Sequence, residues 1–398
     1  MLFESDRHEA LRDVSWDEAA ARDAIERIAL DSTMAFEAEG LWPVHPLEHA
    51  PGTNPLRMLY FGATGVIWAL DSLHRAGATA PPPDFSGVLP ELLESNRKAI
   101  RLSTPRTESL LMGDAGILLL CWKLTPSREL AAQIASTISA NRENPTREFM
   151  WGSPGTLLAA LAMYELSGDE AWAELFREGT SDLANALETD SELGCRLFTQ
   201  DLYGTRSRQL GAGHGFAGTV FPIVRGLRLL APDEQAQWSR CIRETLMATA
   251  LTEDGWANWP QSIGTPRPAR TALLVQHCHG APGIVNCLAN LPDPTIDDLL
   301  IAAGELTWAA GPLKKGANYC HGTAGNGYAL LKLFTRTQDS RWLERARAFA
   351  MHAIAQSERD LQNFGRRRYS LWTGDLGLAA FLWSCIQATD AFPTADVF

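Results

Sequence analysis

The sequence is short of several things, and each shortage excludes a class. Its 398 residues hold only seven cysteines, Cys121, Cys195, Cys241, Cys278, Cys287, Cys320 and Cys385. Seven is an odd number, and they are scattered, so no disulfide scaffold is expected. The pattern fits a reduced, cytoplasmic chain in which a thiol is free to react or bind metal. Basic charge is scarce: 35 Lys and Arg stand against 47 Asp and Glu, a net of −12. With no basic field to displace counterions from phosphates, nucleic acid is not an expected partner. No apolar run is long enough to cross a bilayer, and the first 20 residues carry charges where a signal peptide needs apolar residues, so no membrane partner is expected. Alternation with period two is rare, so sheet is not the main theme.

What is present is 45% hydrophobic residues, enough for a large core, and an uneven distribution of charge. Residues 1–40 hold 11 acidic and 4 basic residues, a net of −7, so the remainder is close to balanced. This segment reads as a helix with a solvated acidic face, with a docking role as the alternative.

Glycine is the informative residue. Seven pairs follow the pattern G-x-x-G: Gly62/Gly65, Gly113/Gly116, Gly152/Gly155, Gly215/Gly218, Gly280/Gly283, Gly322/Gly325 and Gly374/Gly377. Each leads into an apolar stretch such as VIWAL, TLLAAL or NGYALLKL. A unit averages about 57 residues, room for two helices and their connections. Between the glycine motifs lie amphipathic segments, including RWLERARAFAMHAIAQSERD, with apolar residues at helical spacing. Taken alone, G-x-x-G is helix-start punctuation. Repeated seven times, it implies an all-α, α/α toroid of about seven helical hairpins. The chain is then one domain over 1–398, with 1–40 as an acidic N-terminal helical segment. An open superhelical array is the alternative. Pro81–Asp84 reads as a surface loop, and 190–211 and 254–270 as the longest non-helical passages.

Aligned on the first glycine, three consecutive units differ from the rest just before it: Gly213-His214, Cys278-His279 and Cys320-His321. In a toroid these positions converge at one end of the ring. Two thiolates and an imidazole select zinc over hard cations, and three protein ligands leave a fourth position open. Cys278, Cys320 and His321 are the expected ligands of one Zn²⁺, with His277 and His279 as competing imidazoles and His279 as an orienting residue. His214 reads as a general acid or base. Asp114, in GDAG, reads either as its carboxylate partner or as a helix cap.

GAGHGFAG, HCHGAPG and YCHGTAGNGYALLKL, in this order, resemble the lanthionine synthetase C-like (LanC-like) family. The resemblance covers essentially the whole chain, including GDAG and NWPQSIG. It implies a seven-fold α/α toroid with one zinc on Cys278, Cys320 and His321, and His214 as the catalytic acid or base. It places Lys315 where eukaryotic-type members carry a lysine associated with glutathione binding. The activity implied is addition of a thiol, from glutathione or a peptide cysteine, to dehydroalanine or dehydrobutyrine in a peptide or protein, forming a thioether. A stand-alone lanthipeptide cyclase and a non-catalytic zinc or thiol-binding protein are the alternatives. A toroidal protein prenyltransferase is disfavoured, because no carboxylate and thiolate lie in register. Peptide cyclases of the family usually carry Trp before the first zinc cysteine and Arg a turn earlier; here His277 and Leu274 stand there. Arg270 or Arg267 is the available substitute, and Arg270 is taken with Lys315 and His279 as substrate-binding. The balance leans to the glutathione-using branch.

Overall fold

The computed structural model describes residues 2–48, 55–101, 104, 106–264 and 272–398. Among these are fourteen α-helices, and they form two concentric layers. The inner layer is α2 (Ala63–Arg75), α4 (Asp114–Leu124), α6 (Ser153–Ser167), α8 (Phe216–Gly226), α10 (Ala281–Leu288), α12 (Thr323–Thr337) and α14 (Asp375–Gln387). Each packs on the next, and α14 packs on α2, so the ring closes. The toroid expected from the glycine repeat is the fold observed, and an open array is not.

The outer layer is α1 (Glu18–Met34), α3 (Leu89–Ile100), α5 (Arg128–Asn141), α7 (Glu170–Asn185), α9 (Pro232–Thr249), α11 (Asp297–Ala310) and α13 (Ser340–Phe364). These are amphipathic for a simple reason: one face meets the inner ring and the other meets water. In α1 the buried residues are Ala21, Ala24, Ile25, Ile28, Ala29 and Ser32, a single stripe, and it lies against α14.

The seven-fold G-x-x-G has a steric cause. The first glycine of every pair is the N-cap of an inner helix. The second sits against the carbonyl oxygen six residues earlier. A Cβ at Gly65, Gly218, Gly283 or Gly325 would stand 2.2, 2.0, 1.9 and 1.8 Å from the oxygens of Leu59, Ala212, His277 and Tyr319. The loop therefore folds down onto the first turn of its own helix, and only a residue without a side chain permits it.

These loops are joined to one another by backbone hydrogen bonds. The residue two before the first glycine donates its N–H to the same position of the neighbouring unit: Gly213 to Cys278 at 3.1 Å, Cys278 to Cys320 at 3.0 Å, Cys320 to Trp372 at 3.0 Å, Trp372 to Tyr60 at 3.1 Å and Tyr60 to Leu111 at 2.9 Å. This ladder, more than helix packing, sets which side chains become neighbours at the mouth of the ring.

The described parts of the two long non-helical passages, 190–211 and 254–264, are not plain loops, while 265–270 lie outside the described residues. With the residues just before them they form short antiparallel strands: β1 (Glu188–Asp190) with β2 (Cys195–Leu197), β3 (Gln200–Leu202) with β4 (Thr205–Gln209), β4 with β7 (Ser262–Ile263), and β5 (Leu251–Glu253) with β6 (Trp256–Asn258). Pro81–Asp84 is a loop, as expected. No helix among the described residues is long and apolar enough to cross a membrane.

The acidic N-terminal segment is mostly solvated, as its helix reading has it: Asp17, Glu18, Asp23 and Glu26 are all exposed. Two of its carboxylates are used differently. Glu9 accepts from His352 at 2.9 Å, Gln356 at 2.6 Å and Arg359 at 3.0 Å, and Asp31 pairs at 2.6 Å with Arg367, which is 2% exposed. An outward acidic face would leave the buried Arg367 without its strongest partner.

The candidate active site

Cys278 and Cys320 precede α10 and α12, and the backbone ladder holds them side by side. Their thiols are hydrogen-bonded to each other. The Cys320 S–H donates to Cys278, and the Gln276 amide donates to the same sulfur at 2.9 Å. These donors, with His214 and Lys315 nearby, outweigh burial and hold the Cys278 thiol below its ordinary value. Cys320 is pushed the other way, by keeping its proton for Cys278 and by burial; the Tyr60 hydroxyl, donating to it, partly offsets this. The pair is thus asymmetric: the Cys278 sulfur is biased toward the thiolate, and Cys320 is biased toward keeping its proton.

Unit five owes its shape to Asn258, in NWPQSIG. Its side-chain oxygen accepts from Trp259 N at 2.9 Å and Ala281 N at 2.8 Å, which caps α10 from outside the helix. Gly280 has φ +102°, a conformation that no other residue adopts cheaply, and the turn that presents Cys278 depends on it.

The three neighbouring imidazoles have separate fates. His277 is core. It lies within 4.8 Å of the Phe392 ring, stacked on it, its Nδ1 bonds to the Asn286 amide at 3.0 Å, and burial pushes its pKa down to about 3. His279 faces a different cavity, with its ring 6.4 Å from that of His214. His321 follows Cys320 directly; its backbone N–H donates to the Asn318 side chain at 3.1 Å, and burial, then the charges of Lys315 and Arg368, lower its pKa to about 4. The structure thus brings the two thiols together and leaves His321 beside them in sequence rather than in a gathered set. Among the described residues no three His, Cys, Asp or Glu side chains stand close enough to hold a metal ion. The donor chemistry of the pair, two adjacent sulfurs of which Cys278 is biased toward the thiolate, fits a soft cation such as zinc.

His214 stands where Gly215 begins α8. Its Nδ1–H donates at 2.8 Å to Glu148, whose side chain is fully buried. Glu148 in turn accepts from the backbone N–H groups of Met150 and Trp151. With Nδ1 engaged by the carboxylate, the ring is held in one orientation and tautomer. The carboxylate partner of His214 is therefore Glu148. Asp114 is buried at the start of α4, where its carboxylate accepts from Arg97 at 2.8 Å and Thr107 at 2.9 Å.

His214 and His279 line one cavity of about 440 Å³, walled by Tyr203, Arg206, Gln209 and Gln261 from the β3–β4 hairpin and its neighbour strand. That volume is in the range of small-ligand sites. Lys315 is exposed, and its charge acts on both thiols and on His321; it lines a small cavity with Arg368 and Thr373. Arg270 lies outside the described residues.

Sequence reasoning missed three of these groups. Tyr60 occupies the same pre-glycine position as the two cysteines, a signal that was present in the repeat. Gln276 lies two residues before Cys278. Glu148 carried no signal, because nothing in the order of residues links it to a histidine 66 positions away.

A closed double-layered helical ring that carries a thiol pair and a carboxylate-oriented imidazole at one mouth defines the class: an α/α toroid. The lanthionine synthetase C-like protein family matches residues 57–397, and the chain belongs to that family. It is 26% identical over 366 residues to Glutathione S-transferase LANCL1 of Danio rerio, covering 85% of this chain and 84% of that protein. It is 30% identical over 266 residues to LanC-like protein GCL1 of Arabidopsis thaliana, covering 63% of this chain and 58% of that protein. Among solved structures, Nisin cyclase aligns with a TM-score of 0.60 at 15% identity, over 95% of this chain and all of that one, which establishes the shared fold.

Proposed function

We propose that this protein adds a thiol, glutathione or a peptide cysteine, across the double bond of a dehydroalanine or dehydrobutyrine residue in a peptide or protein, forming a thioether. The observation that carries the reading is the pairing of two chemistries at one mouth of the ring. Cys278 and Cys320 form a hydrogen-bonded thiol pair in which Cys278 is biased toward thiolate, and His214, oriented by Glu148, lines the adjacent cavity. Family membership and the similarity to a protein named as a glutathione S-transferase point the same way.

In the proposed reaction the thiol sulfur bonds to the β-carbon, the C=C π bond breaks, and the electron pair moves to the α-carbon as an enolate. The thiol gives up its proton, and one proton is delivered to the α-carbon, so the sum is S–H addition. His214 Nε2 is the atom that delivers it, and Glu148 stabilises the imidazolium that precedes the transfer. Zinc on the Cys278–Cys320 pair, with His321 as the third ligand the sequence pattern assigns, would supply a Lewis acid that lowers the pKa of an incoming thiol. Lys315 is assigned to the thiol substrate, and His279 to the side of the cavity that faces His214.

The stand-alone cyclase is the second reading. It differs in taking the thiol from the same peptide, and the similarity to a glutathione S-transferase over 85% of the chain favours the intermolecular reaction.

The test is mass spectrometry of a dehydroalanine peptide incubated with glutathione and the protein, beside metal analysis of wild type and Cys320→Ala. A glutathione adduct, and a metal content lost on substitution, are the expected results. A metal content that Cys320→Ala leaves unchanged refutes the ligand assignment, and no adduct with any thiol refutes the activity.

A further inference from the structure

A second cavity of about 350 Å³ adjoins the one that holds His214. The two share Leu202 and Tyr203, at the tip of the β3–β4 hairpin. Tyr203 is built into this partition at a cost. It has φ +52° and is followed by Gly204 at +69°, so a bulky residue sits in a two-residue turn that prefers Asn, Asp or Gly. It is 70% exposed, yet its hydroxyl accepts from the Trp151 indole at 2.9 Å and its ring lies edge-on to His214, 6.1 Å between centroids.

Each cavity is lined by a buried polar side chain that lacks a partner. Ser109, 3% exposed, lines the second cavity, and among the described residues its hydroxyl has no hydrogen-bond partner. Gln209, 4% exposed, lines the His214 cavity; its amide donates to Ser207, but its oxygen accepts from nothing among the described residues. Buried polar groups of this kind are costly unless something arrives to bond them. The other walls of the second cavity are apolar or mixed, with Arg106 and Asp201 on the same lining, so no single sign of charge is favoured. That disfavours an anionic thiol such as glutathione. A neutral extended backbone, which offers N–H donors to an amide oxygen and carbonyls to a hydroxyl, fits both vacancies.

We infer that the second cavity binds the peptide residues flanking the dehydroamino acid, with Ser109 as a hydrogen-bonding contact and Tyr203 marking the boundary between the flanking segment and the reacting residue. The inference rests on the proposed thiol addition to a residue within a peptide, and adds to it where in the fold the flanking residues lie. Binding energy gathered away from the reacting carbon raises kcat/KM for the longer substrate.

The experiment compares two substrates with glutathione as the thiol: N-acetyl-dehydroalanine methylamide, and a hexapeptide with the same dehydroalanine in the middle. The readout is the ratio of kcat/KM, long over short, for wild type, Ser109→Ala and Thr104→Trp. Thr104 lines the same cavity and is only partly buried, so a tryptophan there blocks it from the rim. Ser109→Ala removes a hydroxyl that has no partner, so it leaves folding intact or improves it. The expected wild-type ratio is about tenfold or more, falling several-fold in Ser109→Ala and to about one in Thr104→Trp. A ratio near one in wild type, or a ratio that neither variant changes, overturns the inference and leaves the thiol addition standing; in the latter case Ser109 holds an ordered water only. A higher KM for glutathione with an unchanged ratio assigns the cavity to the thiol and also overturns it. No turnover of either substrate by wild type refutes the proposed function, and the inference with it.

Discussion

At the scale of single residues, the site is a matter of who holds whose proton. The Cys278 sulfur accepts from Cys320 and Gln276, and His214 donates to Glu148. A histidine that must deliver a proton from Nε2 needs its other nitrogen occupied, and a carboxylate does this better than water because it also stabilises the charged ring. Glu148→Gln keeps the size of the side chain and loses the charge. It is expected to lower kcat for thioether formation by about 10²-fold or more with little change in KM, as is His214→Asn. The double variant is expected to be no worse than the more damaging single one, because the two act as a unit. Mass-spectrometric initial rates check this, and additive losses would show that the pair acts independently.

At the scale of elements, the recurring piece is a loop that folds back onto the first turn of an inner helix. Its glycine is required by contact, not by dihedral angle: a methyl at Gly325 would lie 1.8 Å from the Tyr319 carbonyl oxygen and 3.1 Å from His277. Relief of that clash moves the loop that carries Cys320. Gly325→Ala is therefore expected to cost about 3 kcal/mol of stability and to lose metal affinity together with it. Gly77→Ala, in open space at φ +78°, carries backbone strain but no clash, and should cost about 1 kcal/mol with no effect on metal. Urea unfolding and metal titration of the two variants separate the contributions.

At the scale of the whole molecule, segments near both ends of the chain are tied into the ring. Near the C-terminus, Phe392 enters the centre, where it packs on His277, Tyr319, Tyr328 and Trp372, and the fully buried Lys332 holds Asp396 at 2.7 Å. Phe392→Ala is expected to cost about 3–5 kcal/mol by denaturant unfolding, since it empties a site lined by rings that cannot collapse. The N-terminal strap is held by Glu9. Burial alone would raise its carboxyl, but the donors His352, Arg359 and Gln356 outweigh it and hold it at about 2, against an ordinary value of 4.5. The folded pKa is the lower one, so the contact stabilises fully above about pH 4.5 and is lost as pH falls toward 2. Glu9→Gln should flatten the loss of stability across that window; equal slopes in wild type and variant would show that the strap contributes nothing.

Much of this was legible from residue order. The seven G-x-x-G pairs determined the closed ring, because each glycine answers a local contact between a loop and its own helix, six residues apart. The pre-glycine register likewise predicted that Cys278, Cys320 and His214 would meet, since repeats stacked in register bring equivalent positions together. The partners of those groups were decided elsewhere. Tyr60 meets Cys320 through the backbone ladder, whereas Glu148 and Gln276 meet His214 and Cys278 through the local turns that carry them. The inward turn of Glu9 and Asp31 depends on Arg359 and Arg367, more than 300 residues away along the chain. Local packing leaves a periodic mark on a sequence. A hydrogen bond between distant segments leaves none, because either partner alone is an ordinary polar residue until the fold takes water away from it.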